Sequence, residues 1–493
     1  MKYYQPTRPG SMSESSTSAR APILKPKGRH EGTVHGGVPV MQAMLRRLGF
    51  AQAINGALTL FKVRRGYAES DHVLSIALNP LCGGQTLDDI EQRRRDPSYL
   101  KSLGLRAIPD PTTAGDFCRR FDEKSIFNLQ DAANEIRAHV WKQQPGDFFD
   151  CARIDADGVF VPTGSETAEG VDWSGHKREW GYHPLVVSLA NTQEPLFIVN
   201  RTGARPSHEG AAEIFNRSIT LCLGAGFRSA LLRGDTDFSQ TAFLDAWDDM
   251  KIVKFVFGYD ASPKLVGLAN ELGEDQWELL SRDTRVVDED DERAKPHKHK
   301  DDVIREREFR KLELGCEHLA EFFYQPEACD RAYRIVAVRK TILVTKGVET
   351  LFPETRYFFY ISNLEGVSAR EVVREANDRC NQENLNSHLK SGVHALRAPL
   401  KTLNSNWAFM VMSALAWSFK AWFAMLMPVK AANSDSDRAV AKRLLTMEFR
   451  TFINNLMTIP ILVIESGRRL ILRLLTASPW TPHLLRAAVE FRE

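Results

Sequence analysis

At Phe148 the hydrophobic pattern changes period, and this change limits the possible folds more than any other feature of the chain. FFDCARIDADGVFVP alternates and is rich in β-formers, and HPLVVSLA and PLFIVNRT follow as two apolar strand-like runs. A helical stretch over 209–223 comes next. RSALLRGD then reads as a fourth strand, SQTAFLDAWDDM as a second helix and KIVKFVFGY as a fifth strand. Three strands, helix, strand, helix, strand is an α/β order with a mixed sheet, assigned to 148–258. Beyond it the order lapses. The charged run 282–311 reads as solvated, and its His297 and His299 sit among lysines that would repel a metal cation. YRIVAVRKTILVTK and TRYFFYISNL are strand-like, so 259–365 is a β-rich insertion.

The flanks are different in texture. Residues 1–30 carry six basic side chains against the single acid Glu14 and read as a disordered basic tail. Residues 31–147 form short amphipathic helical patterns separated by Gly and Pro. Pro111, Thr112 and Thr113 open one that bears Arg119 and Arg120, which suits a helical DNA-binding domain or a structural bundle equally. Residues 401–493 read as helical and apolar. Within them WAFMVMSALAWSFKAWFAMLM is long enough to span a bilayer, but Lys420 near its middle favours a buried core helix, with no membrane partner. Charge balances over the whole chain, 65 Lys and Arg against 63 Asp and Glu, which removes a global argument for polyanion binding. Seven scattered cysteines without a CxxC spacing argue against a zinc site or disulfide framework and for a reducing compartment.

The segment SAREVVREANDRCNQENLNSHLKS, within a core helical region 366–400, carries the chemistry. Ser368 and Glu371 fit a capping box. On the helix that follows, Arg379, Glu383 and Lys390 share one face at roughly 3.6 residues per turn. Its four asparagines are poor helix formers and suit a face presented to a polar polymer. Two further acids stand out. Asp155 lies within an apolar strand, where an unpaired carboxylate costs several kcal/mol. Asp235 closes the fourth strand, at the carboxyl end where sites of α/β sheets gather. With Glu383 they would make an oxygen-rich cage for Mg²⁺ or Mn²⁺. Asp150, Asp157 and Asp237 lie close by. Register favours Asp155 and the turn favours Asp235, and a shift of two residues stays open for each.

Arg379, Glu383 and Lys390, the motifs GHKREWGYHPL, RPSHEGA, LLRGDTDF and RCNQEN, and LAWSFKAW resemble the DDE transposases of bacterial insertion sequences in their order over about 36–475. The group concerned has a Tyr-x2-Arg-x3-Glu-x6-Lys signature, from which Ala376 departs at the tyrosine position. The resemblance implies a ribonuclease-H-like catalytic core with a β-rich insertion between helical N- and C-terminal regions. It implies Asp155, Asp235 and Glu383 as catalytic ligands of two Mg²⁺ or Mn²⁺ ions, cleavage at terminal inverted repeats, strand transfer into target DNA, and a homodimer on paired ends in a bacterial cytoplasm. Arg379, Lys390 and Asn384 would contact DNA, as would Lys177, Arg178 and His183 in a loop with Trp180 and Tyr182. Trp277 would stack an extruded base, with Trp173 and Trp180 competing for that role. Two other readings stand beside this one: another nuclease of the same fold, such as a resolvase, and a transposase-derived DNA-binding protein without chemistry.

Overall fold

The computed structural model describes residues 31–62, 66–280, 310–346, 349–350, 353–430, 434–467 and 469–492. The basic tail and the charged run through His297 and His299 lie outside them. The α/β segment contributes five strands to the main sheet: β1 (Ala152–Gly158), β2 (Leu185–Leu189), β3 (Glu194–Val199), β4 (Ala230–Gly234) and β5 (Val253–Tyr259). They lie side by side as β3-β2-β1-β4-β5. Strand β2 runs antiparallel to β1 and β3, whereas β4 is parallel to both β1 and β5.

Five helices matter for the site: α1 (Glu123–Trp141), α2 (Ala211–Ala225), α3 (Ala369–Asn377), α4 (Cys380–Ser387) and α5 (Leu403–Met425). Side chains alternate across a strand, so Ala152, Ile154 and Ala156 of β1 join the apolar cluster containing Ile214, Phe215 and Cys222 of α2. Arg153, Asp155 and Asp157 point to the opposite face, which α3 and α4 cover.

The β-rich insertion contributes β6 (Arg310–Tyr324), β7 (Tyr333–Lys346) and β8 (Glu354–Ser362). It does not stand apart from the core. Strand β8 pairs antiparallel with β5, Ile361 opposite Phe257, and β7 and β6 extend the same sheet. Without β8, the long apolar β5 would be an open edge, an exposed template for non-native pairing.

The capping box forms: the Ser368 Oγ accepts from the Glu371 amide at 3.3 Å, and Glu371 Oε2 accepts from the Ser368 amide at 2.7 Å. The single helix expected after it does not. The Gln382 amide bonds the Arg379 carbonyl three residues back at 2.8 Å, which breaks the ladder between α3 and α4, and a π-helical turn follows at His388–Gly392. Two flanking segments also depart from expectation. The C-terminal region holds strands Ile461–Ser466 and Arg469–Leu474, turned at Gly467 (φ 59°) and paired with Glu31–Thr33. Its run ILVIES is apolar and rich in β-branched residues, which favours a strand. Lys177 and Arg178 sit in the turn of a hairpin of Asp172–Ser174 and Glu179–Tyr182, and Trp180 and Tyr182 lie on its second strand rather than in the loop.

The helices before residue 142 and those after 402 share one apolar cluster. Helix α5 is its axis, with Phe50 edge-on to Phe419 at 5.1 Å. It is apolar enough by length and composition to cross a membrane, yet protein encloses it almost completely.

Candidate active site

Asp157 is the penultimate residue of β1 and Asp235 follows β4 directly, so two adjacent parallel strands deliver carboxylates to the same end of the sheet. Glu383 on α4 joins them. All three line one cavity of about 960 Å³, together with Asp237. Cationic and imidazole side chains line the same cavity: Lys177, His183, Arg205, His208 and Lys390. Trp173, 46% exposed, also faces this space. Asp235 and Glu383 additionally line a second cavity of about 440 Å³, walled by Tyr259, Tyr357 and Tyr360 and floored near Ala376 and Arg379. The departure at Ala376 therefore leaves a small side chain beside a tyrosine-walled space.

Glycines permit this convergence. A Cβ on Gly158 would stand 2.9 Å from both His183 Nε2 and Ser207 Cβ, and one on Gly234 would stand 2.5 Å from Phe238 Cβ. Both turns would have to open to accept any other residue. The loop bearing Arg205 and His208 is drawn together by Arg201, whose guanidinium donates to the carbonyls of His183 (2.9 Å), Ser207 (3.0 Å) and Glu209 (2.6 Å).

Asp155 is elsewhere. It is fully buried and bound bidentately by Arg233, its register partner on β4, at 2.7 and 2.9 Å. Arg233 also reaches Glu375 Oε2 at 3.3 Å, and Arg153 holds Glu375 at 3.0 and 3.1 Å. This network clamps α3 to the sheet and leaves Asp155 no open face. Asp155 and Asp157 share a strand face, as their two-residue spacing requires, but only Asp157 reaches the cavity. The assignment of Asp155 to the site is accordingly corrected to Asp157.

The electrostatics follow from crowding. Burial pushes the Asp157 carboxyl up to about 6, with Arg379 opposing the rise and Asp235 and Glu383 adding to it. Burial also raises Asp235, again against Arg379. Arg379 Nη2 is 3.8 Å from Asp235 Oδ2, and its buried Nη1 has no hydrogen-bond partner among the described residues. Burial and the neighbouring Lys177 lower Lys390. Burial lowers His183, whose Nδ1 meets the Arg205 carbonyl at 2.9 Å and so carries the proton, leaving Nε2 toward Gly158.

Among the residues expected to touch DNA, Lys177, His183 and Lys390 line the first cavity, and Arg379 lines the second. Arg178 is exposed at the hairpin tip (φ 54°), and Asn384 is exposed and lines neither cavity. Trp277 must be corrected: it is 8% exposed, with the Arg339 guanidinium 4.4 Å over its ring and Tyr357 6.1 Å away. It packs within the insertion, against β7 and β8. Sequence reasoning missed Arg205 and His208, and read Asn386 only as one of four asparagines suited to a polar polymer. RPSHEG did hold both a cation and an imidazole, but nothing local indicated that Arg201 would fold the loop inward.

The oxygen-only donors Asp157, Asp235 and Glu383 suit a hard cation such as Mg²⁺ or Mn²⁺. Among the described residues, however, no three His, Cys, Asp or Glu groups stand close enough to hold one ion as arranged. Arg379 supplies the positive charge that the carboxylates share here.

No curated protein matches the chain. Among solved structures, a piggyBac transposase synaptic complex with hairpin DNA aligns over 87% of this chain and 88% of its own at 10% identity, with a TM-score of 0.36. The family model described as transposase DDE domain group 1 matches residues 26–493, and on that match over nearly its whole length the chain belongs to the DDE transposases.

Proposed function

We propose that this transposase moves a bacterial insertion sequence by a cut-and-paste route, hydrolysing phosphodiesters at the element's inverted repeats and transferring the freed ends to target DNA. Asp157, Asp235 and Glu383 are its catalytic carboxylates. The observation that carries this reading is that the three carboxylates and the cations Lys177, Arg205 and Lys390 line one and the same cavity. The strand order and directions of β1 to β5 support a ribonuclease-H-like core, with the acids at the carboxyl end where ligands of such sheets bind.

The residues would act as follows. Lys177, Lys390 and Arg205 grip backbone phosphates, supplying affinity without reading sequence. Arg379 neutralises the carboxylates in the free protein and turns to phosphate when DNA arrives. His183, neutral and anchored through Nδ1, shapes the wall without adding charge. Asp157, Asp235 and Glu383 would hold two Mg²⁺ or Mn²⁺ ions, which activate the attacking oxygen and stabilise the leaving one in phosphoryl transfer. Two copies of the chain would hold the paired ends.

The test is cleavage of a labelled duplex carrying the element's own ends, with Mg²⁺ and with EDTA. Metal-dependent nicking at the junction is expected, with Asp157→Asn, Asp235→Asn and Glu383→Gln binding the ends but leaving them intact. Tight, specific binding without cleavage in any divalent metal would favour a DNA-binding derivative. Cleavage with no preference for the ends would favour another nuclease of this fold. Normal nicking by Asp157→Asn would sink the carboxylate assignment.

A further inference from the structure

We propose that Asn386 is a positioning residue for Asp157, the last link of a buried amide relay that starts on β2. This rests on the reading of Asp157 as a cation ligand. The relay runs through three side chains that are each at most 7% exposed: Ser188, Gln382 and Asn386. Gln382 and Asn386 are one helical turn apart on α4 and lie over β2 and β1. The remainder of that buried helix face is apolar, Leu385 and Leu389. Two amides in such a place are costly unless each is hydrogen-bonded.

Chemistry sets the direction of the relay. The Val186 carbonyl can only accept, so the group facing it at 3.3 Å is Gln382 Nε2. Gln382 Oε1 is then left to accept from the Ser188 hydroxyl. Gln382 Nε2 also reaches Asn386 Oδ1 at 3.4 Å, which orients the second amide with its nitrogen outward. Asn386 Nδ2 donates to Asp157 Oδ2 at 2.7 Å. Val186 is itself the register partner of Asp157, so the chain of bonds leaves the sheet, passes through α4 and returns to the same pair of strands. One oxygen of Asp157 is thereby held by a fixed donor, which sets the orientation of the carboxylate toward a cation. Because Glu383 follows Gln382 directly on α4, the relay also sets where Glu383 stands relative to Asp157. Outer partners that orient a ligating group in this way commonly account for about 10–100-fold in metal affinity.

The experiment is Mn²⁺ titration of the full chain followed by electron paramagnetic resonance, with melting temperature and end-DNA binding in EDTA measured alongside. Asn386→Leu should weaken Mn²⁺ binding about 10–100-fold while leaving DNA binding in EDTA unchanged, and Asn386→His, which restores a donor, should recover part of the loss. Asp157→Ala serves as the reference. If Asp157→Ala binds Mn²⁺ like wild type, the ligand reading fails. If Asp157→Ala is impaired but Asn386→Leu is not, the relay is overturned and the ligand reading stands. Should Asn386→Leu fail to fold, Gln382→Met breaks the relay one link earlier. It should weaken Mn²⁺ binding to a smaller extent, and unchanged binding there would overturn the relay.

Discussion

Asp155 and Asp157 are two residues apart on one strand face, yet their surroundings give them opposite roles. Asp155 is locked to Arg233, and removing one partner of such a buried pair typically costs about 3–5 kcal/mol. Asp155→Asn should therefore lower the melting temperature by many degrees whether or not metal is present, and its loss of activity should track its loss of fold. Asp157 behaves in the opposite way. Its carboxyl, near 3.8 when unfolded, is raised to about 6 in the fold, so the ionised form is disfavoured and stability falls as pH rises through that interval. Asp157→Asn removes this cost. In EDTA at pH 7.5 it should melt at or above wild type, by on the order of 1–3 kcal/mol, and the difference should vanish near pH 4. Calorimetry of the two variants across pH separates them. The sequence showed that one strand face bears acids. Which acid is open depends on Arg233, 78 residues away, an identity no local pattern carries.

At the level of elements, the insertion and the split helix behave differently from their sequence signals. Strand-like runs after residue 330 did announce β-structure, but the pairing of β8 with β5 joins residues about 100 apart in the chain, and alternation does not specify a partner. Trp277 illustrates the same limit: an amphipathic ring serves equally as stacking platform or as core. Here it closes the insertion under Arg339. Trp277→Ala should destabilise the fold by about 3–5 kcal/mol, while a variant still folded at low temperature should bind end DNA normally. A selective loss of DNA binding at unchanged melting temperature would return Trp277 to the interface.

Across the whole molecule, the N-terminal helices, the catalytic sheet and the C-terminal helices meet at Glu194. This buried carboxylate of β3 accepts from Arg137 (2.9 Å) and Trp141 (3.1 Å) of α1 and from Trp422 (2.8 Å) of α5. Glu194→Ala strands Arg137 and should cost about 3–5 kcal/mol in a single transition seen by all probes. If the helical region melted separately from the sheet, the junction would not be the link described. Lys420, on the same α5, is lowered by burial from 10.5 to about 7 while donating to the Leu445 carbonyl at 2.8 Å. Between those values the unfolded chain holds a proton that the fold releases, so stability rises as pH rises from 7 to 10.5. Lys420→Met should be more stable than wild type at pH 7, by about 1–3 kcal/mol, and the gain should shrink by pH 9.5.

Short-range chemistry was sufficient for much of this. Alternation in β1 and short apolar runs after it specified β1 to β5 in order, Ser368 and Glu371 specified the start of α3, and composition marked α5 as buried. Each of these signals acts over a few residues, through side-chain periodicity or a single cap. What came from folding were the choices that need two distant segments at once: Asp157 over Asp155, β8 against β5, Arg205 brought into the cavity, and residues before 142 packed with those after 402 in one core. Burial and ion pairing are energies of proximity in space, and proximity between residues separated by tens or hundreds of positions is created only when the chain closes on itself.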